Sequence, residues 1–277
     1  MAPDGSPFHP VPPTKPYMAP MALMAQPEAA YPSLCQALQK QVNEIVESRS
    51  VARRLLTVMR TGEAVPTCIG MTAPEPLTTG VTTVSRSRLE VKGGGVLLWG
   101  ELVVDLVTAQ LLDGAPERAE LGAVARVAED LVAHEDAEVL AALEQAAQRV
   151  GAQNTIRTDG DPAEDLLAAA ESLRQGGRMP ALALVVWGAL RGTLAQTAKY
   201  KALRAVFSQG IFPAEAPPGS KNLGLILDPA SANAKLVVGK DYEVVWLGWE
   251  GPAHKVGVAL GFAASIGESP ALRLLVP

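Results

Sequence analysis

The run His134-Glu135-Asp136 gathers the side chains best able to exchange protons or ligate a metal. It falls where the spacing is helical, and consecutive helical positions point about 100° apart, so the three cannot converge on one ion from a single helix. The expectation is a solvated helix face, with a metal held across a subunit contact as the sharper reading. Asp159-Gly160-Asp161 resembles the start of a calcium loop, but the later oxygen ligands are missing. It reads as a turn followed by a helix N-cap.

Other signatures are incomplete. Gly93-Gly94-Gly95 lacks the spacing of a dinucleotide loop, and Gly239-Lys240 leads into Asp241 rather than Ser or Thr. The chain contains neither a G-x-S-x-G elbow nor an H-E-x-x-H pair. His9, His134 and His254 lie in three different segments. Lys199 and Lys201, with Arg191 and Arg204, make a local basic patch, read either as a solvated face or as a loop that lines a pore or touches anionic cargo. No catalytic, cofactor-binding or metal-ligating residue is assigned, and no cofactor is called for.

The surrounding composition is that of a folded chain. It has 277 residues, 48% hydrophobic and 19% charged, enough to bury a sizeable core. A net charge of −5 argues against tight nucleic-acid binding by the whole surface. Cys35 and Cys68 fit neither a disulfide framework nor a zinc site. The longest uncharged apolar run, residues 179–190, is 12 residues long, whereas a bilayer span needs about 20. Without a basic segment ahead of an unbroken apolar one, no secretory signal is expected, and the reading is of a soluble, intracellular protein.

The elements follow from punctuation and period. Residues 1–31 carry eight prolines and read as an extended arm, either disordered or ordered against a neighbour. Pro32 opens a helix, or a pair of helices, to about residue 60, with Leu34, Leu38, Val42, Ile45 and Val46 on one stripe. Residues 61–95, rich in Thr, Val and Ser, predict a two-stranded excursion that needs another surface to lie on. A stop at 113–116 and a stripe from Leu121 to Ala146 predict a spine helix roughly 50 Å long, ending at Gly151. A second helix runs from Asp161-Pro162, with Glu164 placed for a capping box, to Gly176-Gly177. Residues 181–187 read as a buried strand and 188–210 as helix broken near 197–199. Strands follow at 222–227, 234–238, 242–247, 254–261 and 271–276, with turns at Gly239-Lys240-Asp241 and Gly251-Pro252. The fold class is α+β. Trp246 and Trp249, three apart, should point to opposite faces of a strand, one into the core and one toward a neighbour.

The C-terminal third resembles a known family. Encapsulin-type chains end in a "VVGQD"-like turn, a "YLG"-like strand, a His-led strand running into an Ala-rich one, and a final apolar strand. Here those places are held by Val237-Val238-Gly239-Lys240-Asp241, Val245-Trp246-Leu247-Gly248, His254-Lys255-Val256, Ala263-Ala264-Ser265-Ile266 and Ala271-Leu272-Arg273-Leu274-Leu275. In the spine, AEDLVAHEDAEVLAAL is similar to "AEDRAIF". The chain thus resembles the superfamily of tailed-bacteriophage major capsid proteins and encapsulin shells, the Hong Kong 97-type fold. The order of elements agrees from Tyr31 to Pro277. The encapsulin N-terminal signature is absent, which tips the reading toward a phage capsid.

The resemblance implies an arm at 1–31, a helical segment at 32–60, an extended loop at 61–98, a peripheral domain at 99–152 and 242–277 around the spine, and an axial αβ domain at 153–241. It implies a structural, non-enzymatic protein assembling with itself into pentamers and hexamers of an icosahedral virion shell around double-stranded DNA. Scaffold, portal or decoration proteins are partners, and no membrane is. The alternative is a cytoplasmic nanocompartment around a cargo enzyme; an enzyme with an unrecognised site and a monomeric binding module are the other classes. Thr197, Lys199 and Lys201 become an axial pore loop, and Trp246 and Trp249 subunit contacts.

Overall fold

The computed structural model describes residues 32–61, 68–71, 75–79, 82–91, 95–104, 122–151, 155–158, 160–174, 181–230, 234–250, 253–267 and 272–277. The Pro-rich arm, the spine start at 113–116, the stop at Gly176-Gly177 and the Gly251-Pro252 turn lie outside them.

Helix α1 (Pro32–Arg49) buries Leu34, Leu38, Val42 and Val46 against the spine, helix α3 (Gly122–Val150). Between them in sequence, Ser50 accepts a hydrogen bond from the Arg53 amide (3.1 Å) and starts the short helix α2 (Val51–Leu55). The helical pair stops there. Leu56 turns extended, and strand β1 (Thr57–Arg60) runs parallel to strand β10 (Lys235–Glu250), with Thr57 opposite Lys235 and Arg60 opposite Val238. Helical expectation up to residue 60 thus yields to a strand whose pairing partner lies far along the chain.

The 29 residues of α3 make it about 44 Å long. Its apolar stripe, from Val124 through Leu131 and Val139 to Ala147, is buried. Two sheets are strung along it. The larger has the order β1-β10-β11-β5-β4-β2, where β2 is Cys68–Met71, β4 Thr82–Val91, β5 Gly95–Val104 and β11 Ala253–Ser265. Strand β3 (Glu75–Thr79) also pairs with β4. The excursion predicted as two strands therefore contains β2, β3 and β4, and β4 lies along β5, which continues into the sheet centre. That continuity gives the excursion the surface it needs.

Gly239-Lys240-Asp241 is not a turn. Strand β10 runs unbroken through it, with register shifts between Val238 and Lys240, between Lys240 and Glu243, and between Trp246 and Gly248. Opposite it, β11 is itself a single long strand, so the surplus residues of β10 are absorbed as bulges that bend it rather than as a reversal.

The smaller sheet has the order β6-β12-β9-β7-β8, comprising β6 (Thr155–Arg157), β7 (Ala183–Val186), β8 (Gly210–Pro213), β9 (Gly224–Leu227) and β12 (Arg273–Val276). Alternate residues of β7 serve different cores. Ala183 and Val185 join the core with α1, α3 and the larger sheet, whereas Leu184 and Val186 face helices α4 (Pro162–Arg174), α5 (Ala189–Gln196) and α6 (Tyr200–Val206). Burial on both faces explains the unbroken apolar run at 181–187. The expected break in 188–210 falls at 197–199, between α5 and α6.

On the larger sheet, Trp99 lies over Gly257. A Cβ built on Gly257 would meet Cη2 and Cζ2 of the indole at 2.5 Å. Trp99 is also tied at its edge, donating to Glu101 Oε1 (3.0 Å), while Lys255 Nζ pairs with Glu101 Oε2 (2.8 Å). A rigid ring cannot give way there, so Gly257→Ala should destabilise the fold by about 1–3 kcal/mol. Gly192 of α5 has open space where a Cβ would stand, and Gly192→Ala should stabilise by up to about 1 kcal/mol. Urea unfolding followed by circular dichroism checks the opposite signs.

Candidate functional site

The densest polar chemistry lies where α2, the spine and the bulged part of β10 meet. Glu135 is fully buried and accepts Arg53 Nε through both carboxylate oxygens at 3.1 Å. Tyr242, also buried, donates its hydroxyl to Glu135 Oε2 at 2.9 Å. Arg53 reaches on to Asp241 Oδ1 through Nη1 (2.7 Å), and Arg60 Nε meets Asp241 Oδ2 (2.9 Å). The Arg53 guanidinium also lies 4.8 Å from the centre of the Tyr242 ring. Beside it, Asp136 accepts the amides of Ala52 (2.7 Å) and Val51 (2.9 Å) and the Ser50 hydroxyl (3.2 Å), closing the start of α2 from the spine. Gln39 of α1 clamps the same part of β10 as a strand would, donating to the Tyr242 carbonyl (2.7 Å) and accepting from the Val244 amide (2.8 Å).

Burial pushes the Glu135 carboxyl above its ordinary range, against the pull of Arg53, and pushes Asp136 up against its three donors. Asp241 goes the other way: burial opposes its charge, but Arg53 and Arg60 outweigh it and hold the carboxyl low. The reading of His134-Glu135-Asp136 as a solvated face is therefore corrected. Glu135 is buried, whereas His134 and Asp136 are partly exposed, and His134 Nδ1 lies 2.8 Å from the Asp130 carbonyl. The signal was present, because Glu135 interrupts the apolar stripe midway between Leu131 and Val139. A carboxylate there is buried by periodicity and requires a cation from elsewhere.

A second clasp joins the spine to the smaller sheet. Glu144, nearly buried, accepts the Ser220 hydroxyl (2.9 Å) and the Asn222 amide. The Asn222 carbonyl in turn accepts Trp187 Nε1 at 2.5 Å.

The third cluster is exposed. Asp161 caps α4 through the Ala163 amide (2.9 Å), as its position predicts, but Glu164 does not complete a capping box. Both carboxylates instead receive Lys199 Nζ, which lies 2.7 Å from Asp161 Oδ2. Their hydrogen bonds raise Lys199 and lower Asp161 from their ordinary ranges. Thr197 Oγ1 accepts the Lys199 amide (3.3 Å), so the turn between α5 and α6 holds itself together. Lys201 stands exposed on the first turn of α6, and Arg191 and Arg204 are exposed on the same pair of helices.

Trp246 packs against its own core and donates from Nε1 to His254 Nδ1 (3.2 Å). Position 249 pairs with His254 and position 246 with Val256. The bulge at Gly248, where φ is +129°, makes three residues of β10 span two of β11. Trp249's side chain lies outside the described residues.

Among the described residues, no group of three His, Cys, Asp or Glu side chains is placed to hold a metal, and no helix is long and apolar enough to cross a membrane. These bonds tie α2, β10, the loop before β9 and the turn between α5 and α6 to fixed partners. Replacing Arg53 by Met leaves Glu135 buried without its cation and should destabilise the chain by about 3–5 kcal/mol, whereas Arg53→Met with Glu135→Leu should recover most of the loss. Urea midpoints of the two variants provide the test.

No family model matches this chain, and no curated protein matches it. Solved structures do. The virus-like particle from Pyrococcus furiosus aligns over 88% of this chain and 98% of its own, at 20% identity and a TM-score of 0.56. The capsid of cyanophage P-SCSP1u aligns over 82% of this chain and 88% of its own, at 12% identity and a TM-score of 0.48. The capsid of an empty GTA particle aligns over 82% and 96%, at 13% identity and a TM-score of 0.48. With the element order described above, the chain shares the fold seen in the virus-like particle from Pyrococcus furiosus.

Proposed function

We propose that this chain is a structural protein that assembles with itself into a closed icosahedral shell, and that the shell is a phage-type virion capsid enclosing double-stranded DNA. The observation that carries the reading is the fold likeness to a virus-like particle over nearly that particle's whole chain. Its chemistry agrees: the buried polar groups described above are spent on internal clasps rather than on a substrate.

In this reading the peripheral domain comprises residues 99–152 and 242–277, and the axial domain residues 153–241. The segment 61–98 lies over an adjacent subunit, the arm at 1–31 crosses another, and Thr197, Lys199 and Lys201 approach a symmetry axis. Trp246 is committed to its own subunit, which leaves Trp249 as the aromatic for a neighbour. Weak contacts, repeated around every subunit, multiply through effective concentration into a stable shell. Scaffold, portal or decoration proteins are the partners in the virion. The second reading, a cytoplasmic nanocompartment around a cargo enzyme, is favoured by the encapsulin-like run from Val237 to Asp241.

Deleting residues 1–28 should leave a folded subunit, by circular dichroism, but reduce particle yield or heat resistance in sedimentation and light scattering. Wild-type yield and heat resistance in the truncation would refute the role given to the arm. Nuclease-protected DNA inside the particles supports the virion, and a co-purifying enzyme of fixed stoichiometry supports the nanocompartment.

A further inference from the structure

One end of the larger sheet is held by an imidazole and an indole. Strand β11 begins at Ala253, and its second residue, His254, is only 2% exposed, opposite Val104 of β5. Alternate residues of a strand point to opposite faces. Val256, Val258 and Leu260 join the core with α1 and α3, and His254 is in step with them. Lys255, out of step, pairs with Glu101 of β5 (2.8 Å). The histidine is therefore buried on the apolar side of the sheet.

Its polar contact comes from β10, where Trp246 Nε1 lies 3.2 Å from His254 Nδ1. An indole N–H can only donate, so the bond requires the neutral imidazole with its proton on Nε2 and a lone pair on Nδ1. The register partner of Trp246 is Val256, not His254, so the bond runs diagonally across the ribbon and spans the bulge at Gly248. A bulge leaves the ladder locally disrupted, and this bond ties the two strands together across it. The other titratable groups packed on this core are named readily. From β5 and β11, Glu101 and Lys255 pair with each other on the opposite face. Residues 32–39 of α1 carry no charge. On α3, His134 pairs with Asp130, Glu135 with Arg53 and Glu144 with Ser220, Asp136 closes the start of α2, and Glu138 is partly buried.

We infer that His254 and Trp246 form an acid-released latch: their bond pins the end of the ribbon formed by β10 and β11 near neutral pH, and a proton taken up at His254 Nδ1 breaks it and frees the indole. The protonated ring would turn an N–H toward a group that can only donate, and would place a charge on the apolar side of the sheet. Burial accordingly holds the imidazole below its ordinary range. The unfolded chain then binds this proton first. The latch contributes its full stability above about pH 6.5, and the contribution declines as the pH falls from there through the lower folded-state value.

The test uses the full chain. Lowering the pH from about 7.5 to about 5 should move the indole emission of the wild type toward the red, reversibly and with a one-proton midpoint below about 6.5, while far-ultraviolet circular dichroism is unchanged. His254→Gln keeps an oxygen that accepts the indole N–H and has nothing to titrate. Its emission should hold the neutral-pH position throughout, and its urea midpoint should lose the decline that the wild type shows over the same range. Trp246→Phe should lack the emission shift, because the freed indole is its source, and His134→Gln should retain it. A wild-type emission that does not change, a shift that persists in His254→Gln or Trp246→Phe, or one that vanishes in His134→Gln would each overturn the inference. Every measurement can be made whether or not copies assemble, so the shell reading is not at stake.

Discussion

Arg53, with only 12% of its side chain exposed, joins α2 to the spine and to β10. The carboxylate it meets, Glu135, has no exposure to water and lies in the middle of the spine's apolar stripe. Such a group is tolerated only when paired and hydrogen-bonded, and Arg53 and Tyr242 supply that pairing, while Asp241 holds the other side of the Arg53 guanidinium. The arrangement is thermodynamically conservative but geometrically demanding. An apolar contact would let α2 shift along the spine, whereas a guanidinium held by both Glu135 oxygens at Nε and by Asp241 at Nη1 does not. Because Asp241 sits in the register irregularity of β10 between Lys240 and Glu243, the same guanidinium also fixes where the long strand bends.

From that fixed corner the rest of the architecture is extended outward. The bend in β10 sets its register with β11, β11 sets β5, and β5 carries β4 and the excursion. At the far end of the spine, Glu144 holds the loop that precedes β9, and the smaller sheet lies between two cores with alternate residues of β7 in each. The clasps at Glu135 and Glu144 thus fix the middle and the C-terminal part of a helix about 44 Å long. Among the described residues, strand β1 and the outer sides of α4, α5 and α6 carry exposed side chains.

Local signals were legible in the sequence. The start of α4 at Asp161-Pro162, the break near Thr197 and the doubly buried run at 181–187 depend on neighbours in the chain, and the structure has all three. Signals that depend on distant partners were not. Thr57 to Arg60 continues a helical stripe on paper but pairs with Lys235 to Val238 in space. Gly239-Lys240-Asp241 has turn composition, yet the uninterrupted β11 opposite it converts the turn into bulges. Glu135 was legible as a site through its place in the apolar stripe, although its partners, one on α2 and one on β10, were not.

The central claim is that this fold is a building block of a closed shell, and cryo-electron microscopy of the purified full-length chain tests it most directly. Uniform hollow particles whose icosahedral reconstruction accommodates the spine and both sheets in every subunit are the predicted result. A chain that remains a monomer of 29.0 kDa at every salt and protein concentration, alone and beside its scaffold, would contradict the account.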